Sequence, residues 1–201
     1  MAGPLRLHVQ RLGVPVEVRG TFVRAAIGGF AGFAVLGLFT AVSPLFAGQV
    51  LGITDHLAVG LIAAALLAAS TVGQLLTASV PERASLLGGC LALATGAVLV
   101  AAGVGTASLV LVLAGAVVAG VGQGSSFRAG LTAVTSQTEP ARRSAVSSSF
   151  FLVLYVAISL PVIGVGAASA AFGLVPAAVT FTLVVAGLAV VAFASLARRR
   201  A

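Results

Sequence analysis

Six polar side chains set within apolar runs of this chain are its candidates for contact with a ligand: Thr40, Ser43, Gln74, Gln123, Ser126 and Tyr155. Hydroxyls and amides donate and accept hydrogen bonds without carrying charge near neutral pH. The chemistry they offer is recognition of a neutral or lipophilic group. Each also has a plainer use, as a hydrogen bond between packed helices. Arg128 is the one charge that reaches into such a run. It either snorkels to lipid headgroups or stands as a gate at the mouth of a cavity.

Catalytic chemistry finds little support. The eleven basic residues are all arginine, so neither a Walker-type phosphate loop nor a Schiff base has its lysine. Gly120-Val121-Gly122-Gln123-Gly124 echoes a dinucleotide fingerprint, but no strand precedes it. His8 and His56 sit at the edges of apolar runs, and no carboxylate lies inside one, so an intramembrane serine protease lacks its base. No His, Cys or carboxylate cluster has ligand spacing, and no catalytic residue, metal or other cofactor is expected. Cys90 is alone and reads as a small hydrophobe.

These residues are carried by long charge-free stretches. None of Asp, Glu, Lys or Arg occurs at 25–54, 84–127 or 144–197. A bilayer core of about 30 Å is crossed by roughly 20 helical residues. The first run holds one span, the two longer runs hold a pair each, and Leu57 to Val80 adds another. The expected helices are Val23 to Phe46, Leu57 to Ser79, Ala84 to Gly103, Ser108 to Thr132, Ser144 to Ala167 and Leu174 to Ala197. Turn signals separate them at 52–56, 103–108, 81–83, 138–143 and 169–173. The chain is 60% hydrophobic, so its net charge of +7 points to membrane edges and not to nucleic acid. Alternating the six spans places all eleven arginines on one side, with Asp55 and His56 opposite. The positive-inside rule then sets both termini in the cytoplasm. The four arginines at 6, 11, 19 and 24 precede the first apolar run without a cleavage pattern, so the first span is expected to stay as an anchor.

Polarity sorts the helices. The third and sixth are nearly all Leu, Val, Ala, Gly and Phe and are expected to face lipid. The first, second, fourth and fifth carry most of the polar groups and should face protein or an aqueous cavity. Gly28 and Gly32, and Gly120 and Gly124, have the four-residue spacing that lets helices approach closely. Pro44 and Pro161 are expected kinks. Asp55 is a candidate N-cap of the second helix.

The run from Gly32 to Pro44 is similar to the cavity-lining helix that opens the C-terminal half of a major facilitator superfamily transporter. Pro140-Ala141-Arg142-Arg143-Ser144-Ala145, followed by a Ser/Phe-rich helix with Tyr155, Pro161 and Gly164, resembles the loop and fifth helix of that half. The basic lead from Leu5 to Arg24 resembles the loop that joins the two halves. The resemblance covers about residues 15–197. It implies that helices one and four line a cavity, two and five face a partner half, and three and six face lipid. The stretch Gly73 to Arg83 departs from the family's Gly…Asp-Arg…Gly-Arg-Arg signature, with Thr77 at the aspartate position. A full transporter of this kind has about twelve helices, so this chain is expected to be a truncated or split half, or to pair with another chain. Proton coupling, which commonly uses an intramembrane carboxylate or His, would need its titrating group elsewhere.

The sequence therefore predicts an all-α, polytopic membrane protein with six transmembrane helices. A basic lead (1–22), a six-helix domain (23–197) and an Arg-rich tail (198–201) compose it. The expected setting is the plasma membrane. The expected partners are the lipid bilayer, a small-molecule substrate and a second six-helix half, with transport, in the efflux direction, by alternating access. A non-transporting six-helix protein that scaffolds or modulates a partner is the alternative.

Overall fold

A computed structural model describes residues 13–198. Arg6, His8, Arg11, Arg199 and Arg200 lie outside the described residues. Among the described residues the chain is helical, without strands: α1 Arg19–Gln49, α2 His56–Leu76, α3 Glu82–Gly105, α4 Leu109–Ser136, α5 Arg143–Phe172 and α6 Leu174–Ala197. Short 3-10 turns at Val16–Val18 and Pro140–Arg142 lead into α1 and α5. All six helices are long and apolar enough to cross a membrane.

Most helices outrun their expected limits. Four residues of the basic lead, Arg19 to Phe22, already belong to α1. The expected turn at 169–173 contracts to Gly173 alone, whose φ of 89° and ψ of 158° open a backbone region held essentially by glycine. A helix has no reason to stop where hydrocarbon ends, so charge-free runs underestimate its length. By contrast, α2 ends at Leu76, three residues short of the expected Ser79. Asp55 caps α2, its carboxylate accepting from the Leu57 N–H at 2.9 Å. Pro44 and Pro161 lie inside unbroken helices.

The helix α1 is the most buried and packs against all five others. On one flank α2 packs mainly on α4, and on the other α5 packs mainly on α1. Behind them α3 lies against α4 and α6. The helix α3, expected to face lipid, is more enclosed than that place implies and is as buried as α4. The cause is a glycine seam. Gly89, Gly96 and Gly103, seven residues apart, meet Gly122 and Ser126, Ala119, and Val112 of α4 in turn. A Cβ on Gly96 would stand 2.7 Å from the Ala119 Cα, so the seam tolerates no side chain there. Only one strip of α3, including Leu91 and Val98, is left exposed.

Glycines of α4 also serve its other neighbour. Gly115 and Gly122 approach α3, whereas Gly120 and Gly124 approach Leu66, Ala69 and Ser70 of α2. Gly73 of α2 returns the contact against the Val121 backbone. On the α5 side, Gly29 abuts Phe150 and Leu154, and Gly37 abuts the Ile158 backbone. Apolar tails of lipid resemble apolar side chains, so helix association in a bilayer depends on van der Waals contact at this range.

Glycines at the seams should thus behave unlike glycines on open faces. Gly124→Ala, whose methyl meets the Ser70 carbonyl, is expected to destabilise by about 1–3 kcal/mol. Gly187→Ala on α6 meets nothing within 4 Å and should be neutral or stabilising by up to about 1 kcal/mol. Unfolding of the two variants in detergent would decide, and equal effects would refute the seam.

Candidate functional site

The seam between α2 and α4 contains the main polar cluster. Ser70 Oγ donates to Gln123 Oε1, and Gln74 Nε2 reaches Ser70 Oγ at 3.5 Å. Ser125 Oγ donates to the Val121 carbonyl at 2.7 Å and lies 3.4 Å from the Gly73 carbonyl. Close approach at Gly124 makes these bonds possible, because it brings the Ser70 turn of α2 against the neighbour of Gln123. Gln123 is 3% exposed and also lies beneath Gly32 of α1, where an added Cβ would stand 3.2 Å from its Cγ. Three helices therefore meet at one amide. Its Nε2 makes no hydrogen bond among the described residues, so the group keeps a donor in reserve.

Ser43 belongs elsewhere. It is 2% exposed, its hydroxyl is without a hydrogen bond, and it borders a cavity of about 20 Å³ between α1, α3, α4 and α6. Phe39, Phe46, Val100, Val112 and Thr182 form much of the wall. That volume accommodates about one water molecule. The Thr182 hydroxyl is already engaged with the Ala178 carbonyl at 2.6 Å.

The remaining candidates scatter. Ser126 is fully buried against Gly89 of α3, with the Cys90 thiol beside its hydroxyl. Thr40 is exposed and bonds back to its own helix, donating to the Leu36 carbonyl at 2.9 Å and the Gly37 carbonyl at 3.0 Å. One turn later Pro44 has no N–H to return to the Thr40 carbonyl. Tyr155 is 64% exposed on the outer side of α5. Arg128 is exposed on α4. Of the seven residues, the structure joins only Gln74 and Gln123, through Ser70.

No protein-family model matches this chain, and no curated protein matches it. The geometry therefore carries the functional argument alone. Among the described residues, no group of three His, Cys, Asp or Glu side chains could hold a metal ion. The available chemistry is hydrogen bonding by neutral groups within an apolar frame. Phe33, Phe127 and Phe151 add to that frame, linking α1, α4 and α5 with ring centroids 5.4 and 6.0 Å apart.

Ser70 was the residue missed as the hub. The signal was present, since Ser70 and Gln74 share one face of a helix at four-residue spacing and Gln123 adjoins a glycine. What polarity alone cannot supply is the pairing across helices.

The buried hydroxyls of Ser70 and Ser43 should respond oppositely to removal. Ser70→Ala strands the Gln123 amide, and a double-mutant cycle with Gln123→Leu is expected to give a coupling of about 0.5–1.7 kcal/mol. Ser43→Ala removes an unbonded hydroxyl and should leave stability unchanged or raise it by about 1 kcal/mol. A coupling near zero, or a clear loss at Ser43, would contradict these assignments.

Proposed function

We propose that this chain is one six-helix half of a major facilitator-type secondary transporter, set in the plasma membrane with both termini cytoplasmic. It would move a small neutral or lipophilic molecule, in the efflux direction, by rocking against a second six-helix unit. That unit is either part of the same polypeptide or a separate chain.

The observation that carries this reading is the kind of polar group on each exposed face. The partly exposed Gln74 lies on α2, and the exposed Tyr155 lies on α5. The outward strip of α3, at Gly88, Leu91, Thr95, Val98 and Ala102, has one polar side chain, a threonine. Threonine in a helix can bond back to a carbonyl of its own preceding turn, as Thr71 does to Leu67 at 3.2 Å. Thr95 makes no such bond among the described residues, but rotation about its χ1 brings the hydroxyl to a carbonyl of the preceding turn, a route closed to the longer Gln74 and Tyr155 side chains. A glutamine amide and a tyrosine hydroxyl reach past the backbone, and the Tyr155 hydroxyl makes no hydrogen bond among the described residues. Such groups are costly against lipid unless protein or water satisfies them. The flanks of α2 and α5 thus suit a partner and an aqueous path, and the outer strip of α3 suits lipid. The arginines at 24, 83, 128, 142, 143 and 198 support the orientation through the positive-inside rule. The apolar surroundings, without a charge at 25–54, 84–127 or 144–197, support a neutral substrate.

Site-directed cross-linking tests the arrangement. Cys90 is fully buried, so background labelling of the native thiol should be low. Leu75→Cys on α2 and Tyr155→Cys on α5, treated in native membranes with a maleimide bearing a photoreactive benzophenone, which inserts into C–H bonds of a neighbour, are expected to couple to a six-helix unit identified by mass spectrometry. Leu91→Cys and Val98→Cys on α3 are expected to remain uncoupled. Reconstituted with its partner, the complex should export a neutral lipophilic fluorophore from liposomes. Equal coupling at all four positions, or a coupled complex inert toward a panel of such fluorophores, would count against the proposal.

A further inference from the structure

A second polar feature lies at the arginine-bearing end of the bundle, away from the α2–α4 cluster. The starts of α1 and α3 and the ends of α4 and α6 enclose a cleft of about 380 Å³. Arg24, Arg83, Glu82, Thr21 and Gln137 supply its polar wall, and Leu86 and Leu196 its apolar one. Arg24 is held in place: its Nη2 donates to Thr21 Oγ1 at 3.1 Å, and Thr21 Oγ1 donates to Gln137 Oε1 at 2.8 Å. No carboxylate forms an ion pair with Arg24 among the described residues. Among the described residues the cleft is lined by two guanidinium groups and one carboxylate.

An adjacent cleft of about 390 Å³ makes a useful contrast. Glu17 and Glu139 line it with a single arginine, Arg142, and Glu139 approaches Arg142 at 3.9 Å. Its charge disfavours an anion, whereas that of the Arg24 cleft favours one. The apolar wall then narrows the identity of the ligand. Leu86 and Leu196 belong to an apolar cluster that continues through Ile27, Leu87 and Phe193, on α1, α3 and α6. A basic rim above an apolar seam at the end of membrane-crossing helices matches a phosphate headgroup with its acyl chain beneath. Guanidinium groups suit phosphate because their planar donors bind its oxygens in pairs.

We propose that the cleft around Arg24 and Arg83 binds the phosphate of an anionic phospholipid, with an acyl chain along the seam between α1, α3 and α6. The proposal depends on the helices crossing a membrane and is independent of transport. The ligand's phosphate could also come from free orthophosphate, and the two sources separate in one experiment.

The full chain, purified in a zwitterionic detergent, would be titrated with phosphatidylglycerol, phosphatidylcholine or orthophosphate while thermal unfolding is followed. Phosphatidylglycerol is expected to raise the unfolding midpoint in a saturable manner, and the other two to leave it near its starting value. Arg24→Gln should weaken the apparent affinity by about fivefold, as expected for one arginine at a lipid surface. Arg24→Lys, which keeps the charge without the paired donors, should retain part of it, and Arg142→Gln, in the neighbouring cleft whose charge disfavours an anion, should match the native chain. If Arg24→Gln loses its helical circular dichroism, Thr21→Val replaces it. That variant keeps the charge but removes the hydroxyl that positions it, and a weakening is again expected. A shift reproduced by orthophosphate, an undiminished shift in Arg24→Gln or in the Thr21→Val variant that replaces it, or an equal loss in Arg142→Gln would overturn the proposal.

Discussion

Close backbone approach along α4 is the constraint on which the other contacts depend. Lipid offers no hydrophobic reward for bringing helices together, so contact must be dense. Gly115 and Gly122 admit α3, and Gly120 and Gly124 admit α2. A helix with ordinary side chains on both faces would hold its neighbours about 8–10 Å from its axis. Here the Ser70 hydroxyl reaches Gln123, and Ser126 meets Gly89, only because those side chains are missing. The glycine pattern therefore sets which polar groups are paired and which are stranded.

A helix with so many glycines is intrinsically weak, at about 1 kcal/mol per glycine relative to alanine in water. Among lipids the penalty is offset because exposed backbone has no water to bond and the helical ladder is retained. The same trade recurs at Gly29 and Gly37 of α1 against α5. It explains why α1, crossed by every other helix, is composed so largely of Gly, Ala and Phe. Small residues give proximity, and the phenylalanines fill the gaps that remain.

Much of the architecture was legible in the sequence. Charge-free runs gave six helices, and Asp55 announced the start of α2. Helix ends were less legible, since α1 and α5 extend through residues whose polarity marks the membrane edge and not the end of hydrogen bonding. The enclosure of α3 was not legible for a specific reason. Leu, Val, Ala and Gly look alike on a polarity scale, yet Gly89, Gly96 and Gly103 form a packing seam while Leu91 and Val98 remain exposed. Of the candidate site, the polar residues were identifiable, but their partners were not. Ser70 links Gln74 to Gln123, Ser43 faces a separate cavity, and Thr40 satisfies itself on its own helix. Those outcomes depend on rotation about each helix axis, which small shifts in glycine position decide.

The distribution of charge bears on how work could be divided in the proposed transporter. The apolar interiors of the described helices contain no carboxylate or histidine, and the bonds at their centre are between neutral groups. Neutral hydrogen bonds neither titrate nor respond strongly to membrane potential, so they cannot by themselves couple movement to an ion gradient. They can hold geometry and discriminate among substrates by leaving an unsuitable one with unmet hydrogen bonds. On the proposed reading, energy input then falls to the second six-helix unit, and this chain supplies a stiff, glycine-locked wall with a small number of fixed donors. Such an asymmetry is physically coherent, because rocking requires that one unit transmit motion without deforming. Seams that exclude even a methyl group are well suited to that, since they leave α2, α3 and α4 little freedom to slide apart.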